Sequence, residues 1–500
     1  MENRIFKSIL WLLLFMPFMV SAHTSITSSS YEGCMIPLPI LAEEFCVSTN
    51  SPVQNFVLRH KQKAPDDNSD AIQYAHIVLS ESGTLSSALG DRIFEIDSIS
   101  VEGPMNEEDF NTLWDSSFNG SLKIINLENA AIENGKIPDY AFFHIDVQVD
   151  WDTWIITVTP LEKIILPDYI TEIGKDAFGY AINLVEINFP SKLRYIGKSA
   201  FTDCISLKPE MLVFPEGLEK LDEQAFYQCR GLDGEIKLPS TLTWIDASVF
   251  YNCRIAEINI PDNLEYLGCF AFAGSRFKKA ILPDDCYLCP HGCQFYNNWE
   301  LTEAHLPENS LFVPPQVFDG CIKLTKANVP SQAIVIGEFA YNSTSLSAIS
   351  FPPTLERIEQ DAFQGCDGME SILLPASLTA LGDRAFNCYG LKAVYCMAQT
   401  PPEFLASQGY ESDRNPFAGV DTSIPVYIPV GTKERYLAAP GWDYFTNFIE
   451  TDNFPSAGIE NISPDVTPTS YKIYDLSGRQ TEALVSGHIY IRNGKKFIHK

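Results

Sequence analysis

Hydrophobic and polar positions repeat every 22 to 25 residues through the middle of the chain. Each repeat contains an alanine followed by a large aromatic residue, or a close variant of that pair. The ten aromatic anchors are Phe178, Phe201, Phe226, Phe250, Phe272, Phe295, Phe318, Tyr341, Phe363 and Phe386. A fixed period of this length predicts a solenoid, in which stacked units share one continuous core. Phe142 fits as an earlier anchor that is followed by an insertion around residues 147–158.

Within one repeat, the residues before a recurring proline alternate in character. Ile187 and Phe189 take one side, and Glu186 and Asn188 take the other. This period of two is typical of a half-buried strand, which Pro190 ends because it has no N–H group to donate. A second short apolar segment follows, as in 218–221 and 355–358. We expect the Ala-Phe pair to form a single tight or 3₁₀-like turn that places its ring in the core.

The full repeat pattern is Leu-Pro-x-x-Leu-x-x-Ile-Gly-x-x-Ala-Phe-x-x-Cys-x-x-Leu-x-x-Ile. It resembles the BspA-like leucine-rich repeat, which occurs in surface proteins of Bacteroides and related bacteria, and residues 174–178 and 196–201 match it closely. The resemblance extends over about residues 76–450. It implies a right-handed, β-rich leucine-rich-repeat solenoid with short 3₁₀ turns, but it does not imply a particular ligand.

The ends of the chain predict further segments. We expect an α/β N-terminal cap and a C-terminal cap, because an uncapped solenoid exposes apolar ends and open strand edges. Helices are expected at 84–92 and 106–118, with Asn106 as a cap. The predicted segments are a signal peptide (1–22), an irregular segment (23–75), the N-terminal cap (76–140), the repeats (141–395), the C-terminal cap (396–452), a linker (453–468) and a small C-terminal β unit (469–500).

The first 22 residues have the pattern of a secretory signal. Arg4 and Lys7 precede an apolar run at 9–20, and small residues at 20–22 favour cleavage before His23. The run is about 12 residues long, whereas a membrane-spanning helix needs about 20. We therefore expect export to the cell surface or the medium, with the periplasm as the alternative, and no transmembrane segment after cleavage.

The last 32 residues form a separate unit with a strong turn signal. Asn493-Gly494 lies between alternating residues, which predicts a β-hairpin. The unit is similar to the short C-terminal regions of exported Bacteroidetes proteins that relate to type IX sorting signals. A small sandwich remnant without a sorting role is the alternative.

Charge and motif content narrow the class of function. The chain has 64 acidic and 35 basic residues and a net charge of −29, which argues against nucleic acid and anionic membranes as partners. Its eight histidines are scattered, and no nucleophile motif, phosphate loop or zinc-helix motif accompanies them. We therefore expect a protein that is not an enzyme and has no cofactor.

The cysteines fall into two groups. Five of them lie three residues after an anchor ring: Cys204, Cys229, Cys253, Cys321 and Cys366. Because this position follows the repeat, it predicts a column of small buried side chains and not disulfides. Cys286, Cys289, His291 and Cys293 instead have the spacing of a zinc site. The alternative for this group is an irregular repeat whose cysteines are free or pair with one another or with Cys269.

Outward-facing positions supply the candidate binding residues. On the strand before the proline they include Glu186, Asn188, Glu257, Asn259, Glu303 and His305. These residues are mixed in character and form no aromatic stripe on which a sugar could stack. Tyr195, Trp244 and Tyr266 share the outward register of the second segment. They form either a patch for a partner or an ordinary covering of the solenoid wall.

The sequence thus favours an exported, non-enzymatic interaction protein that binds protein partners through its solenoid. The resemblance to BspA-like proteins implies adhesion to host or neighbouring-cell proteins, extracellular matrix included. Two alternatives are a carbohydrate-binding component of a glycan-uptake system and a structural envelope spacer.

Overall fold

Short parallel strands from successive repeats pair along the length of a solenoid. The computed structural model describes residues 55–58, 73–143, 145–150, 153–405, 415–455, 473–475, 489–492 and 495–498. Most repeats supply one strand before the proline, one strand after it, and one Ala-Phe turn, but the stretches before Pro215, Pro330 and Pro352 form no strand. The predicted leucine-rich-repeat solenoid is therefore confirmed.

Strands are short and numerous, whereas helices are few. The strands in chain order are β1 (Asn55–Leu58), β2 (Tyr74–Val78), β3 (Ser98–Met105), β4 (Ile124–Asn126), β5 (Ala130–Ile132), β6 (Lys136–Ile137), β7 (Ile145–Asp150), β8 (Thr153–Val158), β9 (Lys163–Ile165), β10 (Glu172–Ile173), β11 (Glu186–Ile187), β12 (Tyr195–Ile196), β13 (Lys220–Leu221), β14 (Glu235–Lys237), β15 (Trp244–Ile245), β16 (Glu257–Asn259), β17 (Tyr266–Leu267), β18 (Lys279–Ile281), β19 (Tyr287–Leu288), β20 (Glu303–His305), β21 (Phe312–Val313), β22 (Val335–Ile336), β23 (Arg357–Ile358), β24 (Ser371–Leu374), β25 (Ala380–Gly382), β26 (Ala393–Cys396), β27 (Glu403–Leu405), β28 (Pro425–Ile428), β29 (Asn447–Glu450), β30 (Ile473–Asp475), β31 (Ile489–Arg492) and β32 (Lys495–Ile498). Within the described residues, the α-helices are α1 (Leu85–Leu89), α2 (Glu107–Phe118) and α3 (Lys433–Ala438).

Two strand walls run along the solenoid. The first wall contains the strands before the prolines and consists of the parallel sets β2-β3-β4-β9-β11, β14-β16, β18-β20 and β24-β26-β28-β29. The second wall contains the strands after the prolines, in the parallel sets β6-β10-β12-β13-β15-β17-β19 and β21-β22-β23-β25-β27. The pairing keeps equivalent residues in line, as in Ile173 with Ile196 and Leu221 with Ile245. These inward residues are fully buried.

The Ala-Phe turns form a third wall, the turn wall, which corrects the expectation of a single tight turn. Along each turn, every second backbone N–H group donates to a carbonyl of the next coil. The N–H of Phe178, for example, lies 2.8 Å from the carbonyl oxygen of Ala200. The groups between them bond within the turn, as in Ala177 to the carbonyl of Gly174. The residue before the alanine is left-handed, with φ of 52° at Asp176. That conformation is unfavourable for a residue other than glycine, and the bonds between coils stabilise it.

One continuous stack of rings fills the interior. Neighbouring centroids are 5.0–6.0 Å apart, and the planes lie within 15° of parallel at every step except Phe318–Tyr341. All ten predicted anchors belong to this stack and are fully buried. Phe142 extends it at one end, as predicted. Phe417 extends it at the other end and was missed, because it follows Phe386 by 31 residues and stands in a Pro-Phe pair.

The predicted column of small side chains lies beside this stack. Each of the five thiols donates to the carbonyl of the anchor residue one coil earlier, as in Cys229 to Phe201 and Cys253 to Phe226, both at 2.9 Å. The amide of Asn298 takes the same role toward Phe272. None of the eleven described cysteines is in a disulfide. The column therefore satisfies backbone carbonyls that the core would otherwise bury without partners.

Capping elements lie at both ends of the repeats. At the N-terminal end, Asn106 begins helix α2 with a capping box that it forms with Asp109, as expected for a cap at this residue. The other predicted helix is shorter than expected, since α1 ends at Leu89 and a 3₁₀ turn, Gly90–Phe94, follows. At the C-terminal end, buried Trp442 packs on Phe417 and donates its indole N–H to a backbone carbonyl.

Two peripheral sheets are antiparallel. Strands β7 and β8 form a hairpin where the sequence predicted an insertion. Strands β30, β31 and β32 form a small sheet at the C-terminal end of the chain. Arg492 lies opposite Lys495 in this sheet, on either side of the position where the Asn-Gly signal predicts a hairpin turn. The signal peptide and residues 456–468 of the predicted linker lie outside the described residues.

We predict that Phe226→Ala lowers the free energy of unfolding by about 3–5 kcal/mol, because it leaves a cavity between two stacked rings. The Phe226 ring lies 5.1 Å from Phe201 and 5.5 Å from Phe250. Urea denaturation followed by circular dichroism measures the change. Val213→Ala is the control, since that side chain is 73% exposed and should leave the midpoint unchanged. Equal midpoints for the parent and Phe226→Ala would show that the stack does not hold the coils together.

Candidate functional site

An aromatic stripe lies on the outward side of the second wall. It consists of Tyr195, Lys220, Trp244, Tyr266 and Tyr287, one residue from each of five successive coils. The parallel register places each residue beside the next. Strands in such a sheet are about 4.8 Å apart, so the five side chains form a continuous surface.

The side chains of the stripe stack on one another. Trp244 and Tyr266 have ring centroids 4.1 Å apart and planes 19° from parallel, and Tyr287 continues the stack at 6.2 Å. The Lys220 ammonium lies 5.7 Å from the Tyr195 ring centroid and 5.5 Å from that of Trp244. The inner ring faces are thus covered by neighbours. Ring edges remain accessible, since Trp244 is 36% and Tyr287 55% exposed.

Two carboxylates fix one end of the stripe. Asp246 accepts a hydrogen bond from the Trp244 indole N–H at 3.1 Å, and Asp222 accepts one from the Tyr195 hydroxyl. The Lys220 ammonium lies 3.4 Å from Asp222 and 3.9 Å from Asp246. Burial opposes ionisation of Asp222, but the bonds from Tyr195, the Glu223 N–H and Lys220 together lower its pKa. The stripe is therefore held in place before any partner arrives.

Sequence reasoning found three of the five stripe residues. Tyr195, Trp244 and Tyr266 lie together as one patch. Lys220 was missed because it is not aromatic, and Tyr287 was missed because its repeat was interpreted as a cysteine motif. The signal that identifies both is positional, since each directly precedes the inward residue of its strand, Leu221 or Leu288.

The other predicted binding residues lie on the first wall, apart from the stripe. Two of them are used by the fold. The amide of Asn188 accepts from the N–H of Leu166 at 2.7 Å and donates to its carbonyl at 2.9 Å, and Asn259 makes the same pair of bonds with Leu238. These amides extend the ladder one residue beyond the strand, where the proline of the repeat prevents further backbone pairing.

Charged residues on the first wall are largely paired between coils. Glu186 pairs with Lys163, and Glu303 lies 3.2 Å from Lys279. His305 lies 3.8 Å from Asp284 of the coil before it and 3.6 Å from Glu308 of its own coil. Glu257 faces outward beside Glu235 in the same sheet. Exposed pairs of this kind contribute little to stability, and they leave this wall without a concentrated apolar or charged feature.

Half-buried carboxylates mark the turn wall. Burial raises the pKa of Asp203 to about 7, and the positive charge of Arg230 opposes the shift only in part. Burial also raises the pKa of Asp176 to about 6, against the nearby charges of Lys175 and Lys198. Both residues precede or follow an anchor ring, so the repeat itself carries them into the turn wall.

The residues of the predicted zinc motif do not form a ligand set. The Cys293 thiol donates to the side chain of Gln316 at 3.0 Å, whereas Cys289 lies beside Cys269 and Tyr266. Burial raises the pKa of Cys286 to about 12. In the part of the chain that the structure describes, no group of three or more His, Cys, Asp or Glu side chains is placed to hold a metal ion. The placement of these residues is that of an irregular repeat.

Parallel strand walls, a central ring stack and repeating Ala-Phe turns define a leucine-rich-repeat protein. The chain carries a BspA-type leucine-rich repeat region, which matches in six copies over residues 157–279, 206–321 and 290–401. No curated protein matches the chain. Within the described residues, no helix has the length and apolar character to span a membrane.

The chain is similar to several solved structures of leucine-rich-repeat proteins. A leucine-rich-repeat protein from Bacteroides ovatus is 25% identical, covering 68% of this chain and 86% of its own, with a TM-score of 0.45. A leucine-rich cell surface protein from Faecalibacterium prausnitzii is 19% identical, covering 64% of this chain and 87% of its own, with a TM-score of 0.35. The leucine-rich-repeat protein of T. pallidum is 23% identical, covering 41% of this chain and 88% of its own, with a TM-score of 0.27. The family assignment therefore rests on the repeats themselves.

We predict that Asp203→Asn makes stability less sensitive to pH. The folded pKa of about 7 lies above 3.8, the ordinary pKa of an aspartate side chain. Unfolding therefore releases a proton between these values, and stability falls as pH rises from about 4 to about 7. The variant should match the parent near pH 4 and exceed it near pH 8 by at most about 4 kcal/mol.

Urea midpoints across this pH range measure the effect. Asp262→Asn, at an exposed position, is the matched control and should follow the parent at every pH. A parallel pH dependence in Asp203→Asn and the parent would show that Asp203 ionises in the folded protein as it does in the unfolded chain.

Proposed function

We propose that this protein is a non-enzymatic interaction protein and that its aromatic stripe binds a protein partner. The observation that carries the proposal is the stacked surface of four rings and one lysine, fixed by Asp222 and Asp246. Tyrosine and tryptophan dominate the binding energy of protein interfaces. Side chains that are already ordered lose little conformational entropy on binding, which favours affinity.

The orientation of the rings favours a protein partner over a glycan. A sugar packs its C–H groups against an open ring face, because that face carries the negative side of the quadrupole. In the stripe, the faces of Trp244 and Tyr266 cover each other, and Lys220 covers one face of Trp244. Ring edges and the hydroxyl of Tyr287 are left for contact, because Asp222, Asp246 and Cys289 already bind the other polar groups of the stripe. These groups fit the apolar and polar side chains of a protein surface.

The charge of the chain supports a partner with a basic surface. The net charge is −29, and two carboxylates lie beside the stripe. An acidic surface attracts a basic partner over a distance and raises its rate of association at low salt. We therefore propose a partner that presents apolar residues surrounded by lysine or arginine. Adhesion to host or extracellular-matrix proteins is the biological setting that the family implies.

We predict that Trp244→Ala and Tyr266→Ala each weaken partner binding by about 2–4 kcal/mol, which corresponds to about 30- to 1000-fold. The measurement is surface plasmon resonance against a panel of purified extracellular-matrix proteins, with a glycan array probed in parallel. Tyr389→Ala is the matched control, since this tyrosine is 70% exposed and lies outside the stripe.

Binding by the parent and Tyr389→Ala but not by the stripe variants would support the proposal. Binding to glycans alone would favour the carbohydrate-binding alternative. Equal binding by all variants would place the interface elsewhere on the solenoid. An absence of any binding would favour a structural envelope spacer.

We further propose that the chain is exported and displayed at the cell surface. The support is the signal pattern of residues 1–22, with cleavage before His23. Brief protease shaving of intact producing cells, with the medium analysed alongside, should release peptides from 141–395. Release only after the envelope is opened would place the protein in the periplasm and would contradict surface display.

A further inference from the structure

Cys269 and Cys289 lie next to each other on consecutive coils of the second wall. Leu267 pairs with Leu288 in the parallel ladder, and the N–H of Cys289 bonds to the carbonyl of Leu267 at 2.9 Å. Cys289 directly follows its strand, and Cys269 comes two residues after Leu267. Both are buried, at 2% exposure for Cys269 and 6% for Cys289. The two cysteines are offset by one residue in this register, so a strand spacing of about 4.8 Å and a rise of about 3.3 Å along the chain bring their α-carbons into the range that a disulfide needs.

Four hydrogen-bond donors converge on the sulfur of Cys289. They are the thiol and the backbone N–H of Cys269, the hydroxyl of Tyr266 and the backbone N–H of His291. Donors aimed at a sulfur stabilise its thiolate, in the way that N–H groups stabilise a carboxylate. The bond from the Cys269 thiol contributes most, and together the donors hold the pKa of Cys289 well below its usual value despite burial.

The cysteine column has the opposite environment. The Cys366 thiol donates its own proton to a backbone carbonyl, and burial raises its pKa to about 11. Burial likewise raises the pKa of the Cys253 thiol, which donates to the carbonyl of Phe226. These thiols are protonated and are therefore poor nucleophiles. Each column sulfur has a backbone N–H group beside it, but burial outweighs that donor, whereas four donors together outweigh burial at Cys289.

We propose that Cys269 and Cys289 form an oxidisable dithiol site that reacts with a small hydroperoxide and closes into a disulfide between adjacent coils. Cys289 is the attacking thiolate and Cys269 is the resolving thiol. The low exposure of the pair admits a small oxidant and excludes a bulky one. The inference does not rest on the proposed function, because it concerns the sulfur chemistry alone.

The reaction has two steps. The Cys289 thiolate attacks one oxygen of hydrogen peroxide, so that an S–O bond forms, the O–O bond breaks and the leaving hydroxide takes a proton to become water. The Cys269 sulfur then attacks the Cys289 sulfenic acid, so that the S–S bond forms and the S–O bond breaks. The proton of the Cys269 thiol leaves with the hydroxide as a second water. In total, two thiols and one peroxide give one disulfide and two waters.

Peptide mapping of the whole protein tests this site. The folded protein is first reduced, then treated with hydrogen peroxide, blocked with an alkylating agent and digested with trypsin without reduction. Cleavage after lysine and arginine places Cys269 in peptide 255–276 and Cys289 in peptide 280–323. We expect a linked pair of these peptides, two hydrogens lighter than their sum, which disappears after reduction.

Serine variants assign the link, because peptide 280–323 also contains Cys286, Cys293 and Cys321. Cys289→Ser should abolish the linked pair, and Cys286→Ser and Cys293→Ser should retain it. Cys269→Ser should leave a sulfenic acid on Cys289, which a dimedone probe captures. Circular dichroism of each variant shows that it is folded. An absence of linked peptide in the folded parent, or a link that survives Cys289→Ser, would overturn the proposal.

Discussion

The structure depends on the stack of buried rings that runs from Phe142 to Phe417. Each internal ring contacts one ring from the coil before it and one from the coil after it, at centroid separations of 5.0–6.0 Å. A single coil of about 23 residues has no interior of its own, so its ring is buried only when both neighbours are present. The ends must therefore be covered, and Trp442 and Phe445 do this where the stack meets the C-terminal cap.

The register that aligns the core also aligns the surface. Inward and outward residues alternate along each strand, so a wall that keeps Leu221, Ile245 and Leu267 in one buried column keeps their outward neighbours in another. Trp244 and Tyr266 stack outside for the same geometric reason that the anchor rings stack inside. A binding surface of this kind needs no special loop. It needs only suitable residues at one position of successive repeats.

Local environment, and not residue type, decides the chemistry of the cysteines. Cys253 and Cys289 are both buried near the core, yet one donates a proton to a backbone carbonyl and the other accepts from several donors. The regular coils use the thiol as a small, weakly polar filler. The irregular coil at 286–293 departs from this arrangement. Its cysteines precede the anchor Phe295, whereas each column cysteine comes three residues after its anchor.

The sequence alone determined the solenoid, the anchor column and the cap at Asn106, because these features follow from patterns within one repeat or one turn of helix. It could not determine how outward residues meet across coils, since such contacts join residues more than 20 positions apart. Tertiary structure therefore decided that Tyr287 joins the stripe and that Asn259 bonds to the backbone of the coil before it. It also decided that donors surround the sulfur of Cys289. The repeat period of the sequence determines which side chains are buried, whereas the register between coils determines which exposed or polar groups become neighbours.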